Sequence, residues 1–282
     1  MIKGVDEGYP KRDLGGRRME RRLTGQVAVV TGGASGIGRG VALELAKHGA
    51  DVCIIDVIPL EEAAETLSQM RLYDVRSMYA STDVRDREGI QRVCRDVEQQ
   101  MGGATIVVSA AVTSQRHELL HTPFDELRLA VEVGIYGTFH VFQAFAGEML
   151  RLGIRGSIIQ MTSPWASLPY GGGIDYRVTK SAQEHMARSL ATELMRHGIR
   201  VNLVEPGWVD TPGERRWYSE NDLLEAGRKL PLGRLCTPED VGRAVVYLCT
   251  EPYVTGAHLT VDGGLSLTYF EASGGAGTRG GS

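Results

Sequence analysis

The chain has 282 residues, of which 42% are hydrophobic and 23% are charged, and its formal net charge at pH 7 is −4. This length suits one large α/β core, and the slight negative charge argues against a nucleic-acid-binding role. The sequence lacks an apolar run of the roughly 18 to 20 residues that cross a bilayer, so we predict a cytoplasmic protein without a membrane segment.

The two ends of the chain differ in composition from the region between them. Residues 1–22 are polar and rich in arginine, and we expect a flexible basic arm there. Residues 271–282 form a glycine-rich tail. A single catalytic domain is therefore predicted over residues 23–270.

Within this domain, short apolar runs alternate with segments of helical periodicity. The alternation predicts an α/β fold with a doubly wound, seven-stranded, mainly parallel sheet and helices on both faces. The predicted strands are residues 26–31, 51–56, 76–81, 104–109, 156–162, 199–205 and 257–261. The predicted helices are residues 37–48, 60–71, 86–101, 123–152, 176–197 and 238–249. Residues 208–235 are expected to form one long irregular connection over the substrate.

A glycine-rich turn, TGGASGIG at residues 31–38, follows the first strand and precedes the first helix. Strand, turn and helix are the context that a dinucleotide-binding loop requires. Glycines let the backbone approach a pyrophosphate, and the free N–H groups of the helix end attract it. The residues that we expect to contact the cofactor here are Gly32, Ser35, Gly36, Ile37 and Gly38.

Tyr176 and Lys180 are four residues apart in a helical segment and so project from one face. A tyrosine with a pKa near 10 is a poor base, but a nearby ammonium and a positively charged nicotinamide favour the phenolate and should lower that pKa. Tyr176 is therefore the predicted general acid and base for an alcohol and its carbonyl. Ser163, at the end of a strand, is expected to hydrogen-bond the substrate oxygen.

The spacing TGxxxGxG, followed far downstream by Ser163 and YxxxK, resembles the short-chain dehydrogenase/reductase family from about Leu23 to Leu267. The resemblance implies a Rossmann fold, a nicotinamide cofactor and a homotetramer. It implies that Ser163, Tyr176 and Lys180 are catalytic and that Tyr176 and Lys180 also contact the cofactor. The further cofactor contacts that it implies are Asp83 and Val84 at the adenine and Pro206, Gly207 and Thr211 at the nicotinamide. Asp83 could equally cap the following helix, and Thr211 could also be a cap.

Asp56 closes the second strand, where a carboxylate can accept hydrogen bonds from the adenosine ribose and would repel a 2′-phosphate. Ser35 and Val57 stand at two positions that often carry Arg or Lys in NADP-dependent relatives, and both are uncharged. NAD is therefore predicted in preference to NADP.

Two segments depart from the family pattern. Gly134 stands where the family has an asparagine that holds a water near the lysine, and Ser109-Ala-Ala-Val112 replaces Asn-Asn-Ala-Gly. We hypothesise that the two changes compensate each other. If the missing water anchor limits proton transfer, Gly134→Asn should raise turnover; if the site has adapted to glycine, turnover should stay or fall.

The predicted function is NAD-dependent interconversion of a secondary alcohol, such as a sugar, polyol or cyclic alcohol, and its carbonyl. The aromatic residues Trp165, Trp208 and Trp217 and the polar residues Gln115 and Arg116 suit such a ring. One alternative is a ketoacyl-thioester reductase, which would usually require NADPH and a basic residue for its phosphate. Another is a sensor or scaffold that binds NAD without turnover, which Gly134 would suit.

His117-Glu-Leu-Leu-His121 matches the HExxH zinc pattern. The helix predicted from residue 123 leaves hardly one turn for it, so no metal site is predicted, and Arg116 or His117 could instead touch the substrate. The four cysteines show no CxxC spacing, which indicates reduced thiols.

Overall fold

The computed structural model describes residues 21–169 and 171–272, and of residues 269–272 only the backbone. Most of the predicted arm at residues 1–22 and nearly all of the predicted glycine-rich tail lie outside the described residues.

The centre of the fold is a seven-stranded sheet with the order β3-β2-β1-β4-β5-β6-β7. All six strand pairs are parallel. The strands are β1 (Val27–Thr31), β2 (Asp51–Asp56), β3 (Ser77–Ser81), β4 (Ile106–Ser109), β5 (Ser157–Met161), β6 (Arg200–Pro206) and β7 (His258–Val261). The predicted seven-stranded doubly wound sheet is confirmed, and each predicted strand lies within two residues of its observed bounds.

Helices cover both faces of this sheet because successive strand residues point to opposite sides. One buried apolar cluster lies between the sheet and α3, α5 and α6, and a second lies between the sheet and α1, α2 and α8. The helices are α1 (Gly36–Lys47), α2 (Leu60–Arg71), α3 (Arg87–Met101), α4 (Phe124–Val131), α5 (Thr138–Leu152), α6 (Ile174–Leu194), α7 (Glu220–Lys229), α8 (Pro238–Thr250) and α9 (Leu265–Ala272).

Two sequence predictions were wrong in detail. The connection 208–235 is not irregular throughout, because it contains α7, whose start is a capping box between Ser219 and Asp222. The helix predicted over 123–152 is divided by a π-helical turn, Glu132–Gly137, hereafter the π-turn. The helix α9 was not predicted.

The continuous helical segment Phe124–Leu152, which contains the π-turn, meets the length and hydropathy of a membrane-crossing helix. By length and composition, therefore, the prediction that the sequence has no such run was wrong. In the fold, 44% of the most apolar 18-residue stretch of this segment is buried. Val141, Phe145 and Met149 of α5 belong to the core on one face of the sheet. A core helix passes the same test.

The sheet places the predicted site residues at the carboxyl ends of its strands. The chain leaves β1 and β4 toward opposite sides, so a crevice opens beyond their carboxyl ends. The glycine turn after β1, the loop after β4 and Ser163 after β5 all lie at these ends.

Candidate active site

The glycine turn connects β1 to α1 with two residues in the left-handed region, Gly32 at φ 65° and Gly36 at φ 53°. A Cβ on Gly38 would overlap the carbonyl group of Gly32, so the turn closes only around glycine. Thr31, the first residue of the turn, holds it in place, since its Oγ1 accepts the N–H groups of Ala110 and Ala111 at 3.1 and 3.2 Å. The turn is thus tied to the loop after β4.

The start of α1 fits an anionic ligand. Within the described chain no side chain caps this helix, and Ser35 at the N-cap position is exposed. The first N–H groups of α1 therefore have no intrahelical acceptor and point, with the positive end of the helix dipole, beyond the turn. These features and the close-packed glycines fit the pyrophosphate of a dinucleotide.

Asp56 ends β2 beside the glycine turn. Its Oδ2 accepts the N–H of Ala34 at 3.0 Å and its Oδ1 accepts the N–H of Val57 at 2.8 Å. The Ile58 N–H is 3.5 Å from Oδ1 as well, so Oδ2 is the oxygen that keeps a further lone pair for a ribose hydroxyl. The neighbouring Val57 side chain is 62% exposed and uncharged.

The predicted adenine contacts follow β3. Arg85 donates to Oδ2 of Asp83 from Nε at 3.0 Å and from a terminal nitrogen at 2.7 Å, and these hydrogen bonds hold the pKa of Asp83 below its ordinary value. Asp83 is not the helix cap that the sequence left open; that role belongs to Asp86, whose carboxylate accepts from Gly89. Val84 is buried beside these groups.

The structure brings the three predicted catalytic side chains together. Ser163 follows β5, and Tyr176 and Lys180 occupy the first two turns of α6. Tyr176 and Ser163 form a side-chain hydrogen bond. The Lys180 ammonium lies 5.6 Å from the centre of the Tyr176 ring and donates to the Met161 carbonyl at 2.8 Å.

Burial shifts the pKa values of both ionisable groups in this cluster. Burial raises the pKa of Tyr176, although the hydrogen bond with Ser163 opposes the rise. Burial also lowers the pKa of Lys180 to about 8. In the protein alone, burial thus outweighs the opposing contributions to the pKa of Tyr176, and the expected lowering, which includes the charge of a bound nicotinamide, stays a prediction.

Asp175, which the sequence suggested as a polar partner for the substrate, instead anchors the start of α6. Its buried carboxylate accepts the N–H of Gln115 at 3.0 Å, and the Gly173 N–H donates to the His117 carbonyl at 2.7 Å. These bonds fasten the loop after β4 to the residues just before Tyr176. The only sequence signal was the position of a carboxylate in the first turn of a helix.

The loop after β6 is fastened across the same opening. Arg116 donates to Oε1 of Glu214 at 2.6 Å, and the Trp208 indole donates to Oε2 at 2.8 Å. The Arg116 guanidinium also lies 5.5 and 5.2 Å from the ring centres of Trp217 and Tyr218. This group, Arg116 with Glu214, Trp208, Trp217 and Tyr218, is called the mouth cluster below.

The remaining predicted cofactor residues border the glycine turn and the end of β6. A Cβ on Gly36 would lie 3.7 Å from the Thr211 side chain, whose Oγ1 accepts the Glu214 N–H at 3.3 Å. The N-cap of the following 3₁₀ turn, Glu214–Arg216, is Gly213 and not Thr211, and the Thr211 side chain faces the glycine turn. Pro206 ends β6, and Gly207 packs closely on Asp262.

The HExxH segment does not form a helix that carries both histidines. Leu119–His121 is a three-residue 3₁₀ turn, and His117 lies before it with Nε2 3.1 Å from Glu126. The four cysteines are free thiols, of which Cys53 and Cys94 are buried.

Comparisons with known proteins show the family to which this chain belongs. Residues 31–266 match the family model described as enoyl-(acyl carrier protein) reductase. The chain is 32% identical to L-rhamnose 1-dehydrogenase (NAD(P)(+)) of Sphingomonas sp. (strain SKA58), covering 86% of this chain and 97% of that protein. It is 34% identical to (3R)-3-hydroxyacyl-CoA dehydrogenase of Canis lupus familiaris, covering 87% and 98%.

A solved short-chain type dehydrogenase/reductase from Mycobacterium marinum superposes with a TM-score of 0.80 at 28% identity, covering 86% of this chain and 96% of that one. The chain belongs to the short-chain dehydrogenase/reductase family. It is thus an oxidoreductase of a family that acts on CH–OH groups with nicotinamide cofactors.

In this short-chain dehydrogenase/reductase, the π-turn packs closely on α6. A Cβ on Gly134 would lie 2.9 Å from the Cβ of Thr179, the residue before Lys180. The π-turn therefore approaches the catalytic helix more closely than an asparagine at residue 134 would allow. The altered segment after β4 keeps one polar side chain, the buried Ser109, whose Oγ lies 3.3 Å from Oγ1 of Thr138.

Proposed function

We propose that the chain is an NAD-dependent oxidoreductase that interconverts a secondary alcohol and its carbonyl, with Tyr176 as general acid and base. The observation that carries the proposal is the convergence of Ser163, Tyr176 and Lys180 at the carboxyl edge of the sheet. A glycine turn that fits a dinucleotide lies at the same edge. The glycine turn lies far from these three residues in the sequence, so the fold brings the two parts of the site together.

Each side chain has a defined task in this proposal. Bound nicotinamide supplies the hydride acceptor or donor. The Tyr176 oxygen takes the alcohol proton during oxidation and returns it during reduction. Ser163 donates to the substrate oxygen as charge develops there. Lys180 stabilises the Tyr176 phenolate and contacts the nicotinamide ribose, and its ammonium is held in place by the Met161 carbonyl.

The proton chemistry depends on cofactor binding. In the protein alone, burial raises the pKa of Tyr176 and lowers that of Lys180. A positive charge next to Tyr176 would favour its phenolate. We therefore propose that the oxidised cofactor binds before the alcohol and activates the tyrosine.

The proposed preference for NAD rests on Asp56. A 2′-phosphate beside this carboxylate would be repelled, and the uncharged Ser35 and Val57 offer it no compensating cation. The rest of the cofactor would contact the residues Gly32, Gly36, Ile37, Gly38, Asp83, Val84, Pro206, Gly207 and Thr211.

The mouth cluster supports a small hydroxylated substrate. It joins two loops across the opening and presents a guanidinium, a carboxylate and three aromatic rings. Paired charges and rings suit a sugar, polyol or cyclic alcohol, whose hydroxyl groups can donate and accept and whose ring can stack. A hydroxyacyl thioester is a second candidate, since a relative acts on such a compound.

We also propose that the chain assembles as a homotetramer. The support is an exposed apolar face on the long helices: Phe124, Tyr136 and Phe139 on the segment 124–152, and Val178 on α6. Covering this face would remove apolar area from water. Light scattering of the parent and of Phe139→Asp is the test, and a monomeric parent would contradict this part of the proposal.

The function is tested by following nicotinamide absorbance with NAD and NADP across aldoses, polyols, cyclic alcohols and hydroxyacyl thioesters. Tyr176→Phe keeps the ring and removes the hydroxyl; Tyr247→Phe, at an exposed position of α8, is the matched control. Turnover with NAD that only Tyr176→Phe abolishes supports the proposal. Binding of NAD with no turnover on this panel, equal in all three proteins, would instead favour the sensor or scaffold.

A further inference from the structure

A buried amide connects the two segments at which the chain departs from its family. Gln183 lies nearly one turn after Lys180 on α6 and is 1% exposed. Its Nε2 donates to the Gly134 carbonyl at 2.7 Å and to Oγ1 of Thr138 at 3.0 Å. Thr138 in turn lies 3.3 Å from Oγ of Ser109, at the end of β4. One chain of hydrogen bonds thus joins the π-turn to the sheet through the catalytic helix.

The chemistry of the groups fixes the direction of the two bonds that Gln183 makes. A carbonyl oxygen only accepts, so the amide nitrogen of Gln183 must face Gly134, and its second hydrogen goes to Thr138. Between Thr138 and Ser109, either hydroxyl can be the donor. Both N–H donors of a fully buried amide are used to hold neighbouring elements, which is a role that an apolar residue cannot take.

The glycine at residue 134 makes this contact possible. Without a side chain, the π-turn packs directly on Thr179, where a Cβ would come within 2.9 Å. Its carbonyl then lies within reach of Gln183. The π-turn therefore contacts α6 at residues 179 and 183, on both sides of Lys180 along the chain.

Lys180 depends on this placement. Within the described residues its ammonium has one hydrogen-bond acceptor, the Met161 carbonyl at 2.8 Å, which Gln160 also contacts at 2.8 Å. The position of α6 relative to β5 therefore sets the position of the ammonium. A small shift of α6 would move Lys180 away from Met161 and would change its distance from Tyr176.

We propose that Gln183 is a positioning residue of the active site, which fixes α6 against the π-turn and thereby holds the Lys180 ammonium beside Tyr176. The proposal rests on the proposed function in so far as Lys180 and Tyr176 act in proton transfer.

The test compares Gln183→Met with Asn202→Leu. Methionine is unbranched and close in size to glutamine but has no N–H donor. Asn202 is a matched control because it is also a buried amide with two hydrogen bonds, to the Val254 carbonyl at 2.9 Å and from the Ala257 N–H at 3.0 Å, and it lies in the middle of β6. Gln183→Glu, which keeps the length but cannot donate when ionised, is the second variant and carries the test if Gln183→Met does not fold.

Two measurements are made on the full chain. Hydrogen exchange should become about tenfold faster in Gln183→Met than in the control at residues 132–138 and 174–183, the scale expected when one or two buried hydrogen bonds are lost. In alcohol oxidation, kcat should fall about tenfold with KM for NAD unchanged within about twofold, and the pH midpoint of kcat should rise as the ammonium moves away.

The outcomes separate the two proposals. Faster exchange without a change in kcat or in the pH midpoint relative to Asn202→Leu would overturn the positioning role and leave Gln183 a structural residue. Equal exchange in both variants would overturn it as well. If the parent itself turns over no alcohol, the proposed function fails. The comparison of exchange rates and the pH dependence of NADH binding then test the positioning role of Gln183 without reference to turnover.

Discussion

Gly134 and Thr179 pack so closely that the first residue has no room for a side chain. A Cβ on Gly134 would lie 2.9 Å from the Cβ of Thr179 and 3.2 Å from its Cγ2. A Cβ atom cannot move without its backbone, and the branched threonine is stiff. The sequence left open whether Gly134→Asn raises turnover or leaves it unchanged or lower, and this geometry favours the second outcome.

We therefore expect Gly134→Asn to lower the free energy of unfolding by about 1 to 3 kcal/mol, the usual effect of overpacking, and to reduce turnover. Chemical denaturation and initial rates measure both. Gly147→Asn is the matched control, since a Cβ there meets nothing within 4 Å and Gly147 is an exposed residue of α5. A Gly134→Asn protein as stable as the control and faster than the parent would contradict the close contact.

Lys180→Met should abolish turnover and stabilise the fold. The pKa of Lys180 falls from 10.5 to about 8 on burial, so holding this amine charged at pH 7 costs on the order of 3 kcal/mol. The unfolded chain binds the additional proton between pH 8 and 10.5, so this cost is present in full below pH 8 and disappears as the pH rises through that window.

The expected result is a free energy of unfolding higher by about 1 to 3 kcal/mol at pH 7, with the difference shrinking toward pH 10.5. Denaturant titrations at pH 7, 9 and 10.5 measure it. Lys229→Met, at the end of α7, is the control for loss of a lysine outside the cluster. A variant less stable than the parent at pH 7 would show that the bond to Met161 outweighs the burial of the charge.

Glu214→Gln and Arg116→Gln should shift the pH dependence of alcohol oxidation in opposite directions. The negative charge of Glu214 raises the pKa of Tyr176 and the positive charge of Arg116 lowers it. Oxidation needs the deprotonated tyrosine, so the rise of kcat/KM with pH should move to lower pH in Glu214→Gln and to higher pH in Arg116→Gln. Arg215→Gln, whose partner is Asp210 on the same loop, should leave the midpoint in place. Shifts of the same sign in both mouth-cluster variants would contradict this assignment.

Asp56→Ser combined with Val57→Arg should change the cofactor preference. The double substitution removes the carboxylate that repels a 2′-phosphate and adds a guanidinium at an exposed position beside it. We expect the ratio of the Kd for NADP to the Kd for NAD to fall by about a hundredfold, measured by fluorescence titration of the reduced cofactors. Leu60→Arg adds the same charge at the exposed start of α2 and is the control. An equal change in both proteins would mean that Asp56 does not face the ribose.

The sequence by itself determined the succession of the seven strands and predicted which residues form the candidate catalytic cluster. Alternating apolar runs specify strands locally, and a glycine turn between a strand and a helix has one well-understood geometry, so Gly32, Gly36 and Gly38 could be assigned to it. The i, i+4 spacing of Tyr176 and Lys180 likewise fixes their common face. The short helix α7 was detectable too, from its capping box at Ser219, but was overlooked.

Only the tertiary structure decided what lies around that cluster. The pKa of Tyr176 in the protein alone depends on burial, which no spacing reveals and which raises it. The contacts of Gln183 with Gly134 and of Arg116 with Glu214 join residues 49 and 98 positions apart, so local pattern carries no trace of them. Long-range packing between elements creates such contacts, and it also determines that the glycine at residue 134 fits where a larger residue would not.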